Sequence, residues 1–160
     1  MAVKTDSKTP TPEAQLRSYI NRFDPKDQKL IRSVRAAVRK RFPTANELAY
    51  DYSSHVVISY SPTDRAIDSI VAIAGRDDGV RLYLMQGPQL PDPKKLLLGS
   101  GKQTRYVLVE AASELARPYV KALIAAAIER APVPLPSKGK GTLILKSDPA
   151  KKRPRRKATK

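Results

Sequence analysis

The chain has 160 residues, 41% of them apolar, which is enough for one core and sets the expectation of one domain. It contains no cysteine, which excludes disulfides, thiolate ligands and a cysteine nucleophile and makes a cytoplasmic location the default. Its net charge of +16 is unevenly placed: residues 131–160 hold ten basic residues and one acidic residue, whereas residues 11–130 hold nineteen and thirteen. Such asymmetry points to a tail that meets a polyanion.

Residues 1–10 show no periodicity and no apolar h-region, so they read as a disordered terminus without a secretory signal. Thr11-Pro12-Glu13 predicts a helix start, with Leu16, Tyr19, Ile20 and Phe23 on the apolar face. Asp24-Pro25 repeats the signal and predicts a second helix to about Arg41. Leu30, Ile31, Val34, Ala37, Val38 and Phe42 share one arc of it. Lys26, Lys29, Arg32, Arg35, Arg39 and Lys40 share the other, which is expected to face water. The period then becomes two. Leu48/Tyr50/Tyr52 and Val56/Ile58/Tyr60 read as strands joined at Ser53-Ser54, and Ser69 to Ala74 as a third. Asp77-Asp78-Gly79 turns into a fourth at Val80/Leu82/Leu84. Lys94 to Leu98 reads as a helical turn, Gly99-Ser100-Gly101 as its breaker, and Tyr106 to Val109 as a fifth strand. Pro118 fits the first position of a last helix facing inward with Val120, Leu123, Ile124, Ala127 and Ile128. The longest apolar stretch, Ala122 to Ile128, is far short of the roughly 18 residues of a membrane span, so no membrane association is expected.

Short links between strands demand hairpins, and helices on one face of that sheet give an α+β sandwich of about five antiparallel strands. The domain is expected over residues 11–131. Prolines 132, 134 and 136 begin a linker, and linker and basic tail together occupy 132–160, with residues 147–160 expected to be disordered. Within it, Thr142-Leu143-Ile144-Leu145 reads either as a docked edge strand or as an apolar patch of the tail.

Candidate chemistry is sparse. His55, the only histidine, stands at a strand head near Asp51, Ser53 and Ser54, but strand geometry splays a triad built from these. Gly99-Ser100-Gly101-Lys102 departs from a P-loop, because Leu96 stands where glycine is needed and Gln103 where Ser or Thr is needed. It reads as a flexible turn, or as a backbone nest for a small anion beside Lys102 and Arg105. Asp77-Asp78 and Asp64/Asp68 do not supply the three or four converging ligands of a metal site. No helix-turn-helix, zinc-finger or RNA-stacking aromatic signature is evident. The tail residues Lys151, Lys152, Arg153, Arg155, Arg156 and Lys157 suit weak, non-specific nucleic-acid association by counterion release, with a solubilising role as the plain alternative.

Several stretches resemble the YdhG-like family, also called domain of unknown function 1801. They are Leu48-Ala49-Tyr50-Asp51-Tyr52, Tyr60-Ser61-Pro62-Thr63-Asp64-Arg65, Leu90-Pro91-Asp92-Pro93, Leu98-Gly99-Ser100-Gly101-Lys102 and Ala116-Arg117-Pro118-Tyr119-Val120-Lys121-Ala122-Leu123-Ile124. The resemblance covers about residues 12–131. It implies a sandwich similar to frataxin, and it makes the Gly99–Lys102 turn a family feature, structural or ligand-binding. One branch of the family is described as a frataxin-like iron chaperone, a task suited to an acidic surface. Here the globular part is basic, and no iron-binding residue carries over. The expectation is therefore a non-enzymatic binding domain with no cofactor, with iron chaperoning and tail-mediated nucleic-acid association as alternatives. Tyr50, Tyr52, Tyr83, Gly99, Ser100, Gly101, Lys102 and Arg105 are the candidate ligand residues, since tyrosines beside cations suit a small anionic or aromatic ligand.

Overall fold

The computed structural model describes residues 10–93 and 95–146. Helix α1 (Pro12–Asn21) opens where Thr11 Oγ accepts the Ala14 N–H at 3.1 Å, with Pro12 at the first helical position. Its stripe of Leu16, Tyr19 and Ile20 is buried. Helix α2 (Pro25–Arg41) starts at Pro25 and buries Ile31, Val34 and Val38, and Phe42 completes that stripe just beyond its end. Strands β1 (Asn46–Asp51), β2 (His55–Ser61), β3 (Val71–Arg76), β4 (Gly79–Met85) and β5 (Thr104–Val109) follow. Helix α3 (Pro118–Glu129) and strand β6 (Leu143–Leu145) close the described chain.

The six strands form one sheet in the order β5-β4-β3-β2-β1-β6. Every neighbouring pair is antiparallel except β1 with β6, which is parallel. The protein is thus mixed α+β, with three α-helices among the described residues and an open, mostly antiparallel sheet. Helix α2 lies over β3 and β4, α3 over β4, and α1 beside β6.

Register assigns each strand residue to a face. Val56, Ile58 and Tyr60 of β2 align with Gly75, Ile73 and Val71 of β3. The row continues to Val80, Leu82 and Leu84, and then to Val109 and Val107. These residues share one buried cluster with Leu16, Ile20, Ile31, Val34, Leu123 and Ile124, so this is the helix-covered face. Leu48, Ala72 and Ala74 are also buried but lie outside that cluster, on the opposite face.

Three expectations change on this frame. Leu143–Leu145 is a docked edge strand, so ordered structure runs past residue 131 into the stretch read as linker and tail. The Glu47 N–H donates to Thr142 O at 2.9 Å and the Lys146 N–H to Ala49 O at 2.8 Å. Gly141 makes this docking feasible, because a Cβ there would sit 1.7 Å from the Ala45 carbonyl oxygen. Over residues 95–98 there is no helical turn. Asp92 accepts the N–H groups of Leu96 and Leu97 at 2.8 and 2.9 Å, and Leu98 bridges to Tyr106 as a short extension of the sheet edge. The carboxylate takes two donors that a helix would have used, which is how aspartate competes with helix in turns.

The third change concerns Arg35, which was expected on the water-facing arc of α2. Its side chain is only 14% exposed, and it bonds Glu47 at 2.7 and 2.9 Å and Glu13 at 2.8 and 3.0 Å. The Glu47 side chain, 4% exposed, also accepts the Tyr60 hydroxyl at 2.7 Å. Burial works against the Arg35 charge, but the two carboxylates together hold its pKa above the usual guanidinium value. The bond from Arg35 holds Glu13 below the ordinary carboxylate value. Burial, and then the Glu47 charge, push Tyr60 well above the ordinary phenol value. The network is a polar plug in the helix–sheet seam with its main hydrogen-bonding groups paired.

Candidate functional site

The face opposite the helices carries Tyr50 of β1, His55, Val57 and Ser59 of β2, Ala72, Ala74 and Arg76 of β3, Arg81, Tyr83 and Met85 of β4, and Thr104, Tyr106 and Leu108 of β5. Alternation explains the set: where Val80/Leu82/Leu84 point to the helices, Arg81/Tyr83/Met85 must point away. No strand residue described on this face is acidic, whereas Glu47 and Asp51 leave β1 on the helix side.

A trough of about 310 Å³ runs across the face. Small side chains, Ser59, Ala72 and Ala74, make its floor, and Tyr52 with His55 on one side and Tyr83 with Met85 on the other make its walls. The first wall is a stack. The Tyr52 ring lies 4.9 Å from His55 at 23° and 6.2 Å from Tyr50 at 10°. Burial, and then the neighbouring Tyr52, raise the Tyr50 hydroxyl. At the second wall Tyr83 and Tyr106 are tilted at 47° with centroids 5.2 Å apart. The Arg81 guanidinium stands 4.7 Å over the Tyr106 ring and donates to the Tyr83 hydroxyl at 3.3 Å. Arg76 lines the trough; its buried Nε–H makes no hydrogen bond but is ion-paired with Asp78 Oδ1 at 3.4 Å.

Arg22, the residue capping the end of α1, positions the first wall from behind. It pairs with Asp51 and donates to Tyr52 O at 2.6 Å and His55 O at 3.2 Å. The hairpin is thereby pinned on the helix side and its rings are presented on the other. The same geometry separates the triad candidates. His55 Nδ1 sits 2.9 Å from Ser54 Oγ, but Asp51 is turned to Arg22. Burial, and then Arg76, Arg22 and Arg81, lower the His55 pKa, so the ring is neutral near pH 7.

Of the residues singled out in the sequence, Tyr50, Tyr52 and Tyr83 come together on this face. Gly99 lies at its β5 edge, in the left-handed region (φ +102°), where a Cβ would be 3.3 Å from the Tyr106 ring. Ser100, Gly101 and Lys102 are exposed beside it. Arg105 aligns with Leu84, on the helix side, and donates to the carbonyls of Gly101 and Thr104. It holds the turn closed and does not reach the trough. Arg76, Arg81 and Tyr106 are not among the candidates read from sequence, and His55 is weighed there only as a catalytic base. The signal available for Arg81 and Tyr106 was their place between core-facing residues. The tail residues Lys151 to Lys157 lie outside the described residues.

Among the described residues no three His, Asp or Glu side chains gather as metal ligands, and no helix is long and apolar enough to cross a membrane. In comparisons with known families, curated proteins and solved structures, the chain matches none.

Proposed function

We propose that this protein is a binding module of the YdhG-like kind, built on a frataxin-like sandwich, that takes a planar anionic ligand in the open-face trough and performs no reaction of its own. One observation carries the reading: aromatic rings and guanidinium groups share a sheet face on which no strand residue is acidic. Rings stack on planar groups, and guanidiniums pair with anions in water-accessible clefts. The helix-helix-strands-helix order and the one-sided helices support the family and fold assignment. The separation of Asp51 from His55 and Ser54 supports binding without catalysis. Iron chaperoning would call on carboxylates, and those of Glu13, Glu47 and Asp51 are engaged by Arg35 and Arg22.

Calorimetric titration with thymidine monophosphate, thymidine and inorganic phosphate tests the reading. The monophosphate should bind, phosphate alone should not, and Tyr83→Leu should weaken the monophosphate. Equal binding of phosphate and the nucleotide, or indifference to Tyr83→Leu, contradicts it.

A further inference from the structure

We infer that the occupant of the open face is single-stranded nucleic acid, lying across the strands with bases stacked at two stations, Tyr52/His55 and Tyr83/Tyr106. This rests on the reading of the open face as the ligand site and adds the class of ligand. A single planar molecule needs one stacking surface. This face offers two, at opposite flanks of the sheet. The Tyr50–Tyr52–His55 stack belongs to β1 and β2, and the Tyr83–Tyr106 pair to β4 and β5. With neighbouring strands ~4.8 Å apart and a rise of ~3.4 Å per residue, two to three strand spacings and the four-residue register offset between His55 and Tyr83 put the stations about 17–20 Å from one another on a diagonal. A repeating ligand can bridge that distance. The floor between them, Ser59, Ala72 and Ala74, is low enough for a sugar–phosphate chain to cross.

Charge favours a polyanion. Arg76 lines the trough, its Nε ion-paired at 3.4 Å to the exposed turn residue Asp78, and Arg81 stands at the second station. The face carries no acidic strand residue, and the carboxylate at its end, Asp78, is paired with Arg76, so phosphates meet little repulsion there. Flat aromatic platforms bordered by cations suit single strands, whose bases present free faces. A duplex offers no such faces. Its major groove, ~12 Å wide, admits a helix or a two-stranded ribbon, not a five-strand face. Few polar side chains reach the platform to read base edges, so binding should be tolerant of sequence.

The chain has seven tyrosines and no tryptophan, and four of the tyrosines, Tyr50, Tyr52, Tyr83 and Tyr106, lie on this face, so tyrosine emission includes a large share from the platform. The test uses the full chain at salt high enough to screen the basic tail. The probes are oligothymidylate and oligouridylate of about a dozen nucleotides, a duplex of equal length, and thymidine monophosphate. Either single strand should quench tyrosine emission and bind at least about tenfold tighter than the duplex. Tyr52→Leu and Tyr83→Leu should each weaken single-strand binding by about fivefold to a hundredfold, with unchanged far-ultraviolet circular dichroism and unchanged duplex binding. Preference for one single strand over the other supports the inference, and oligodeoxyuridylate, which differs from oligouridylate only at the 2′-hydroxyl, then identifies the sugar. Equal affinity for duplex and single strand overturns it, as does wild-type affinity in both leucine variants, which would place binding on the tail. If thymidine monophosphate binds in a Tyr52-dependent way and the oligomers bind no tighter, the polymer inference falls and the ligand-site reading stands. If neither monomer nor oligomer changes tyrosine emission, both fall.

Discussion

The two faces of this sheet are made by the same strands and do opposite work. On the helix face, Val56, Ile58, Val71, Ile73, Leu82 and Leu84 are sealed under three helices, and the buried Glu47 there accepts from both Arg35 and the Tyr60 hydroxyl. On the open face, bulky rings stand beside small residues, Arg76 is held only by an ion pair to the exposed Asp78, and Arg81 donates to the Tyr83 hydroxyl. The helix face spends its residues on burial and pairing. The open face keeps rings half-buried and an arginine N–H without a hydrogen bond, an arrangement that stabilises the fold little and leaves interactions for a ligand. Exposure of an aromatic set without core duty is thus the physical ground for the proposed site.

The largest expected effect lies on the helix face. Glu47→Ala removes the acceptor shared by Arg35 and Tyr60 in a nearly dry seam. It should cost about 3–5 kcal/mol, the loss expected when one partner of a buried ion pair is removed, measured by urea denaturation. A loss near zero would make the network ornamental. Next comes Gly141→Ala. The added Cβ collides with the Ala45 carbonyl, and forced overpacking typically costs about 1–3 kcal/mol. Hydrogen exchange should show faster exchange at Lys146, whose N–H pairs with β1 at Ala49, while the β2–β3 ladder keeps its protection. On the open face Tyr83→Leu should change stability by less than about 1 kcal/mol, because the ring is half-buried and its stacking partner remains.

The smallest effect concerns pH. His55 has a folded pKa below its ordinary 6.5, so the unfolded chain takes its proton first. The stability linked to His55 is complete above about 6.5 and is lost as pH falls through that value towards the folded one. Glu13, lowered from 4.5 by Arg35, adds a second loss at lower pH. A stability–pH curve should therefore fall in two stages on acidification, and His55→Gln should remove the first. A curve whose stability rises below pH 6.5 would contradict the environment described for His55.

Much of this frame is readable from sequence, and the reasons are local. Pro12, Pro25 and Pro118 mark three helix starts because a proline lacks only a donor that the first turn leaves unused. The alternation of Val80, Leu82 and Leu84 fixes a strand and its inward face. What escapes local reading is non-local. Arg35 looks like one more cation on a helix until β1 brings Glu47 beneath it, twelve residues away. The open-face aromatics are spread from Tyr50 to Tyr106, and only the pairing of five strands gathers them, so no short motif reveals the platform. β6 depends on Asn46, which accepts the Thr142 N–H at 3.0 Å across 96 residues. The short run Leu143–Leu145 holds too few residues to declare its partner.

The central claim is that the open face, and not the helix side, receives the ligand. Amide chemical-shift mapping of the full chain titrated with thymidine monophosphate tests it most directly. The account predicts that shifts concentrate at Tyr52, His55, Ala72, Ala74, Arg76 and Tyr83, which line or floor the trough. Shifts confined to the groove between α1 and α2, at Arg17, Arg32 and Arg39, with the open face silent, would contradict it.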